Sequence, residues 1–177
     1  MDRDIERVLI DEGEIARRLD ELAAELLEDF CHEPILVIGL LKGALVFMAD
    51  LLRRLPVPLE IECLNVASYH GGSESSGVVE FLDRVLPEVA GRRVLVIDDI
   101  LDTGRTLAAV GAWLRAAGAA EVRTCVLLAK DKPRAAEVAA DYVGFGIGDE
   151  FVVGYGLDYR GRYRNLPFVG VLRSACL

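Results

Sequence analysis

The chain has 177 residues, 53% of them apolar, and a formal net charge of −9 at neutral pH. That length suits one domain over residues 1–177 with a substantial core, and the apolar share excludes a disordered chain. The acidic balance leaves no basic stripe, so no nucleic acid is expected as a partner. The most apolar stretch, Ile35 to Leu52, is broken by Lys42, Gly43 and Asp50, so no membrane span is expected. Charge from Asp2 onward argues against a cleavable leader. The four cysteines (Cys31, Cys63, Cys125, Cys176) lack CxxC spacing. Cys63 and Cys125 fall in apolar runs and are expected as buried thiols in a reduced, cytoplasmic setting. With only His32 and His70, a His-rich metal site or a Ser-His-Asp triad has little support.

In chain order, Arg7 to Ile10 suggests a short edge strand. Asp11 followed by Glu14 has the form of a capping box. Ile15, Leu19, Leu22, Leu26 and Phe30 then recur at helical spacing, which predicts a helix over 12–30. Ile35 to Gly39 is a compact buried strand, and a second helix follows to about Leu55. Between them stand Lys42 and Gly43, where a parallel sheet binds ligands, so the lysine charge and a backbone amide could meet an anion. Leu59 to Ala67 alternates as a strand, and Val78 to Arg84 reads as a returning one. The polar, Gly- and Ser-rich segment 68–77 between them has the composition of a lid.

Val94 to Ile97 is an apolar strand leading into Asp98-Asp99-Ile100-Leu101-Asp102-Thr103-Gly104-Arg105-Thr106. An alanine-rich helix then runs from Leu107 to Ala117 and stops at Gly118. Amides of Thr103 to Thr106 at that helix start could hold a phosphate, while Asp98 and Asp99 at the strand tip could accept bonds from vicinal hydroxyls. Acids for hydroxyls beside amides for a phosphate suggest a sugar phosphate. Glu121 to Ala129 is a further strand, with Lys130 at its carboxyl edge. Pro133 to Ala140 predicts a short helix opened by proline, and Asp141 to Gly146 a short strand. Phe151 to Tyr159 is apolar and aromatic, and Phe168 to Leu172 closes the chain as a strand. No repeat, linker or low-complexity segment divides it.

The segment from Val94 to Leu107 resembles the phosphoribosyl-diphosphate (PRPP) motif of type I phosphoribosyltransferases. With its third carboxylate it is similar to the form found in 6-oxopurine (hypoxanthine-guanine) phosphoribosyltransferases; adenine and orotate relatives usually lack an acid where Asp102 stands. Leu-Lys-Gly-Ala (41–44) resembles the family's pyrophosphate loop, implying a cis peptide at Leu41–Lys42. Ser68-Tyr69 resembles its mobile loop over pyrophosphate. Leu-Leu-Ala-Lys (127–130) resembles the segment that sets a lysine against the purine's exocyclic oxygen. Phe151 to Asp158 resembles the base pocket, where the residue matching Phe151 stacks on the purine. Backbone carbonyls near Val152 and Asp158 there meet its Watson–Crick edge. Arg164 matches an arginine on pyrophosphate.

What the resemblance implies is an α/β fold with a mostly parallel central sheet flanked by helices and a small hood from the chain ends. It implies displacement of pyrophosphate from PRPP by a 6-oxopurine, with Mg²⁺ near Asp98, Asp99 and Asp158, Asp102 as general base, and a homodimer or homotetramer. The match runs from Leu40 to Arg164 and departs mildly at Ala44, where a second glycine is common, and at the variable Arg105. An aspartyl-nucleophile phosphatase would want Asp-x-Asp rather than acids at 98, 99 and 102. A regulatory nucleotide- or RNA-binding relative would show a basic face and tolerate loss of the acid at Asp102, and a dinucleotide-binding role fails because no GxGxxG follows any strand.

Overall fold

A computed structural model describes residues 2–31, 33–68 and 79–176. Tyr69, His32, His70 and nearly all of the expected lid lie outside them. The elements, in order, are β1 (Ile5–Ile10), α1 (Glu12–Phe30), β2 (Ile35–Leu41), α2 (Leu45–Leu52), β3 (Leu59–Ser68), β4 (Val79–Phe81) and β5 (Arg93–Leu101). Then follow α3 (Arg105–Ala116), β6 (Glu121–Lys130), β7 (Tyr142–Ile147), β8 (Val152–Val153) and β9 (Val169–Leu172).

Six strands form the main sheet in the order β4-β3-β2-β5-β6-β7, and only the β3–β4 pair is antiparallel. The inner strands are buried on both faces, which is why Ile35–Leu40 and Val94–Ile97 read as continuous apolar runs rather than alternating ones. One face packs Leu95 and Ile97 against α1 and α2; the other packs Val94 and Val96 against α3. Helix α1 forms where its pattern places it. The Asp11 side chain accepts the Glu14 amide at 2.8 Å, and Glu14 answers the Asp11 amide at 2.9 Å. Its buried stripe is Ile15, Leu19, Leu22, Ala23, Leu26 and Phe30. A second sheet, β1-β9-β8, joins the two ends of the chain as a hood. Tyr155 ties the hood to α2 through its hydroxyl on Asp50, at 2.7 Å.

Several expectations are corrected. Pro133 to Ala140 is not helical, because the Ala135 and Ala136 amides turn back to the Thr103 carbonyl at 3.1 and 3.2 Å. Val138 then packs beside Gly104, held at φ 78° as the N-cap of α3, where any Cβ would strike it. Cys63 is exposed, whereas Cys125 is buried as expected. Strand β4 pairs only with Val66 to Ser68, so the edge of β3 before it is uncovered and Ile61 is 52% exposed. The returning strand is accordingly shorter than 78–84. Strand β5 also runs past Ile97 through both acids, because Ile100 and Leu101 keep pairing with β6. No helix among the described residues is long and apolar enough to cross a membrane.

Removing the cap tests the account of α1. Asp11→Ala should cost about 1 kcal/mol of unfolding free energy, and Asp11→Ser much less. Urea titration followed by far-UV circular dichroism reads both.

Candidate active site

The carboxyl ends of β2, β5 and β6 and the start of α3 surround two adjoining cavities, as the chain's parallel order requires. The larger, of about 350 Å³, is lined by Lys42, Gly43, Asp98 to Gly104, Thr106, Asp158 and Arg164, among others. The smaller, of about 210 Å³, is lined by Lys130, Phe151, Val152 and Leu157, together with Asp99, Asp102 and Asp158. The three aspartates and Ile100 are common to both cavities. Every site residue expected from the sequence and described in full therefore converges here except Arg105, which opens α3 outside the lining. Ser68 ends β3, and only its backbone is described.

At the larger cavity the Leu41–Lys42 peptide is cis. A Cβ on Gly43 would collide with the Asp99 carboxylate, so only glycine lets this loop approach β5. First-turn amides of α3, Arg105 to Leu107, have no carbonyl one turn earlier in the helix to receive them, and Thr106 and Leu107 line the larger cavity. Asp98 is buried, and its carboxylate accepts the Asp99 amide at 3.0 Å. Burial and the neighbouring Asp99 charge push its carboxyl well above the usual carboxylate range. Burial also raises Asp99, opposed by its hydrogen bonds and by the Arg164 charge. Arg164 bridges the Gly156 carbonyl and Asp158, both at 2.6 Å, and Asp158 also accepts the Gly161 amide at 2.6 Å.

The donor set Asp98, Asp99 and Asp158 is oxygen only, which fits a hard divalent cation. Among the described residues no three acidic, His or Cys side chains converge on one point.

At the smaller cavity Phe151 is 40% exposed and meets Tyr159 edge-on at 5.4 Å between ring centres. Lys130 Nζ donates to Asp149 at 3.0 Å and stands 3.4 Å from Asp102 Oδ2. Two residues here escaped the sequence reading, Lys132 and Asp149. Lys132 Nζ lies 2.6 Å from Asp102 Oδ1 and 2.8 Å from Asp149. Its pairing with Asp102 and then Asp149 raises its basicity, while Lys132 and then Lys130 hold Asp149 below the usual carboxylate range. A second lysine two residues after Lys130 was the available signal for Lys132, which stands past the end of β6 where the chain turns; the sequence carries no such signal for Asp149.

The phosphoribosyl transferase domain model matches residues 9–160. Hypoxanthine-guanine phosphoribosyltransferase of Bacillus subtilis strain 168 is 46% identical over 175 residues, covering 99% of this chain and 97% of that protein. The protein of that name from Streptococcus pneumoniae strain R6 is 42% identical over 174 residues, 98% of this chain and 97% of its own. Among solved structures, a hypoxanthine phosphoribosyltransferase from Staphylococcus aureus superposes with a TM-score of 0.94 at 41% identity, over 99% of this chain and 96% of that one.

The buried acids yield a pH prediction. Asp98 holds its proton more tightly folded than unfolded, so its contribution to stability is complete below about pH 4 and is lost as pH rises through the folded value. Asp98→Asn removes that loss. In metal-free buffer its melting temperature should gain on the parent as pH increases from about 4 to 8. A difference that stays constant with pH contradicts the burial argument.

Proposed function

This chain belongs to the phosphoribosyltransferase family, among the hypoxanthine-guanine phosphoribosyltransferases, and we propose that it converts hypoxanthine, guanine or both, with PRPP, to IMP or GMP and pyrophosphate. The observation that carries this is the pair of cavities meeting at Asp102: one edged by helix amides and cations for an anion, the other by an aromatic ring and a lysine for a base. The relatives named above carry enzyme names, so the regulatory alternative gains no support.

In this scheme residues 1–177 act as one domain. Thr103, Gly104, Arg105 and Thr106 hold the 5′-phosphate, and Asp98 and Asp99 face the ribose hydroxyls. Lys42, the Gly43 amide, Ser68, Tyr69 and Arg164 surround pyrophosphate. Phe151 stacks on the purine, Lys130 donates to its exocyclic oxygen, and the carbonyls of Val152 and Asp158 meet its edge. Asp98, Asp99 and Asp158 would hold magnesium, which would supply counter-charge to pyrophosphate.

The reaction breaks the bond from C1′ to the pyrophosphate oxygen and forms one to a purine ring nitrogen. Positive charge building on the ribose is offset by the acids beneath it, and charge building on the leaving oxygen by Lys42 and Arg164. As the new bond forms, the purine imidazole gives its proton to Asp102. The same proposal includes a homodimer or homotetramer, supported by Ile61, Cys63 and Leu45 standing exposed on β3 and α2. A reduced, cytoplasmic setting is supported by four free thiols.

Initial rates with hypoxanthine, guanine and xanthine, each with PRPP and Mg²⁺, test the function directly; no turnover of any of them overturns it. Excess chelator should abolish the rate, because pyrophosphate would otherwise face Asp98 and Asp99 uncompensated, and undiminished turnover contradicts the metal's role. Asp102→Asn keeps size and hydrogen bonding but accepts no proton. Its kcat should fall by about 10²–10⁴-fold while the PRPP Kd is nearly unchanged. Were Asp102 only a loop-capping side chain, Asn would serve as well and turnover would hold.

A further inference from the structure

Asp102 carries its two carboxylate oxygens in different surroundings. Oδ1 is cut off from solvent and receives no aligned hydrogen bond. Its counter-charge is the Lys132 ammonium at 2.6 Å. Oδ2 faces Lys130, at 3.4 Å, and Lys130 lines the base cavity while Lys132 stands outside that lining. Asp149 closes the figure from the other side, accepting both ammoniums at 2.8 and 3.0 Å.

Two lysines and two carboxylates thus make a neutral square, in which each lysine bridges both acids. A buried carboxylate oxygen without a partner is costly, so Lys132 fixes which oxygen stays inside. The other, Oδ2, is left toward the cavity. Lys130 can leave it for an arriving purine oxygen without becoming an unpaired cation, because Asp149 stays with it. Lys132 has no such alternative destination in the cavity, so it remains on Oδ1 throughout.

We propose that Lys132 is a positioning residue: it anchors Oδ1 of Asp102 so that Oδ2 faces the purine as the proton acceptor, with Asp149 as the shared counterion that lets Lys130 alone change partners. This rests on the role proposed above for Asp102 and adds to it the orientation of that carboxylate and a division of labour between neighbouring lysines. It distinguishes a residue that reads the base from one that aims the catalyst.

The test compares Lys132→Met, Lys132→Arg, Asp102→Asn and the Lys132→Met/Asp102→Asn double variant, using hypoxanthine at saturating PRPP and Mg²⁺, with PRPP Kd by calorimetry. Lys132→Met should lower kcat by about ten- to a hundredfold, with the hypoxanthine KM within about threefold of the parent and PRPP affinity retained. Lys132→Arg, which keeps the charge, should recover part of that loss. In the Asp102→Asn background, Lys132→Met should cost nothing further, since there is no base left to aim. Should Lys132→Met fail to fold, Lys132→Gln carries the same comparisons.

A raised hypoxanthine KM at unchanged kcat overturns the proposal by making Lys132 a base-recognition residue. So does an Arg variant as slow as the Met variant. If the Met loss persists in full without Asp102, Lys132 acts by another route and only its role falls. If Asp102→Asn alone turns over at the parental rate, the base itself falls, and the positioning role with it.

Discussion

Acids buried at the end of a central strand are an unfavourable arrangement, and much of the site follows from it. Strand β5 lies between β2 and β6 with helices on both faces, so Asp98 sits in a region otherwise closed to water. Repulsion between Asp98 and Asp99 adds to the loss of hydration. Either the pair holds protons or something positive must come to it. Arg164 contributes part of that charge from the hood side, and it is itself held by Asp158 and the Gly156 carbonyl. The remaining deficit suits a divalent ion that arrives with its own anionic oxygens.

That demand also explains features distant in sequence. Gly43 has no side chain because the Asp99 carboxylate occupies the space one would fill. Segment 131–140 folds onto Thr103 and Gly104 instead of forming a helix, which bolts the loop before α3 to the β6–β7 connection. The connection that carries Lys132 is thereby fixed against Asp102. Orientation of the proposed base and shape of the proposed phosphate cradle share one support.

Elements governed by local chemistry were legible in the sequence. Helix α1 carries its own cap and period, and its bounds match the pattern. The strand–acid–glycine–helix run at 94–117 was legible too, since an apolar strand and an alanine-rich helix stopped by Gly118 each have a near-neighbour signature, although α3 starts two residues earlier than the pattern, at Arg105. What escaped depends on partners far along the chain. Pro133 and its alanines favour a helix locally, but the Thr103 carbonyl captures the amides that would build it. Alternation at 59–67 specifies a strand without saying whether another covers it, so Cys63 was placed inside. Lys132 and Asp149 come from two different connections, and no spacing rule joins them.

An acidic chain that binds a highly anionic substrate presents no contradiction once distances are considered. At physiological salt, exposed charges more than about 8 Å apart are largely screened from one another. Many surface acids are also matched locally, as Glu21 and Glu25 are by Arg18 on α1. Within the cavities Lys42 and Arg164 stand at one side and Lys130 at the other, with Lys132 just outside, and the amides of α3 add partial positive charge without adding a titratable group. Charge in a partly desolvated cleft is screened least, so these few groups count for more at a bound anion than distant surface acids do, although the aspartates of the same lining oppose them. The two acids of the lysine square keep that positive charge from being excessive before substrate enters. They also leave the lysines ordered, so in the proposed scheme binding a purine would exchange one partner of Lys130 rather than assemble the site anew.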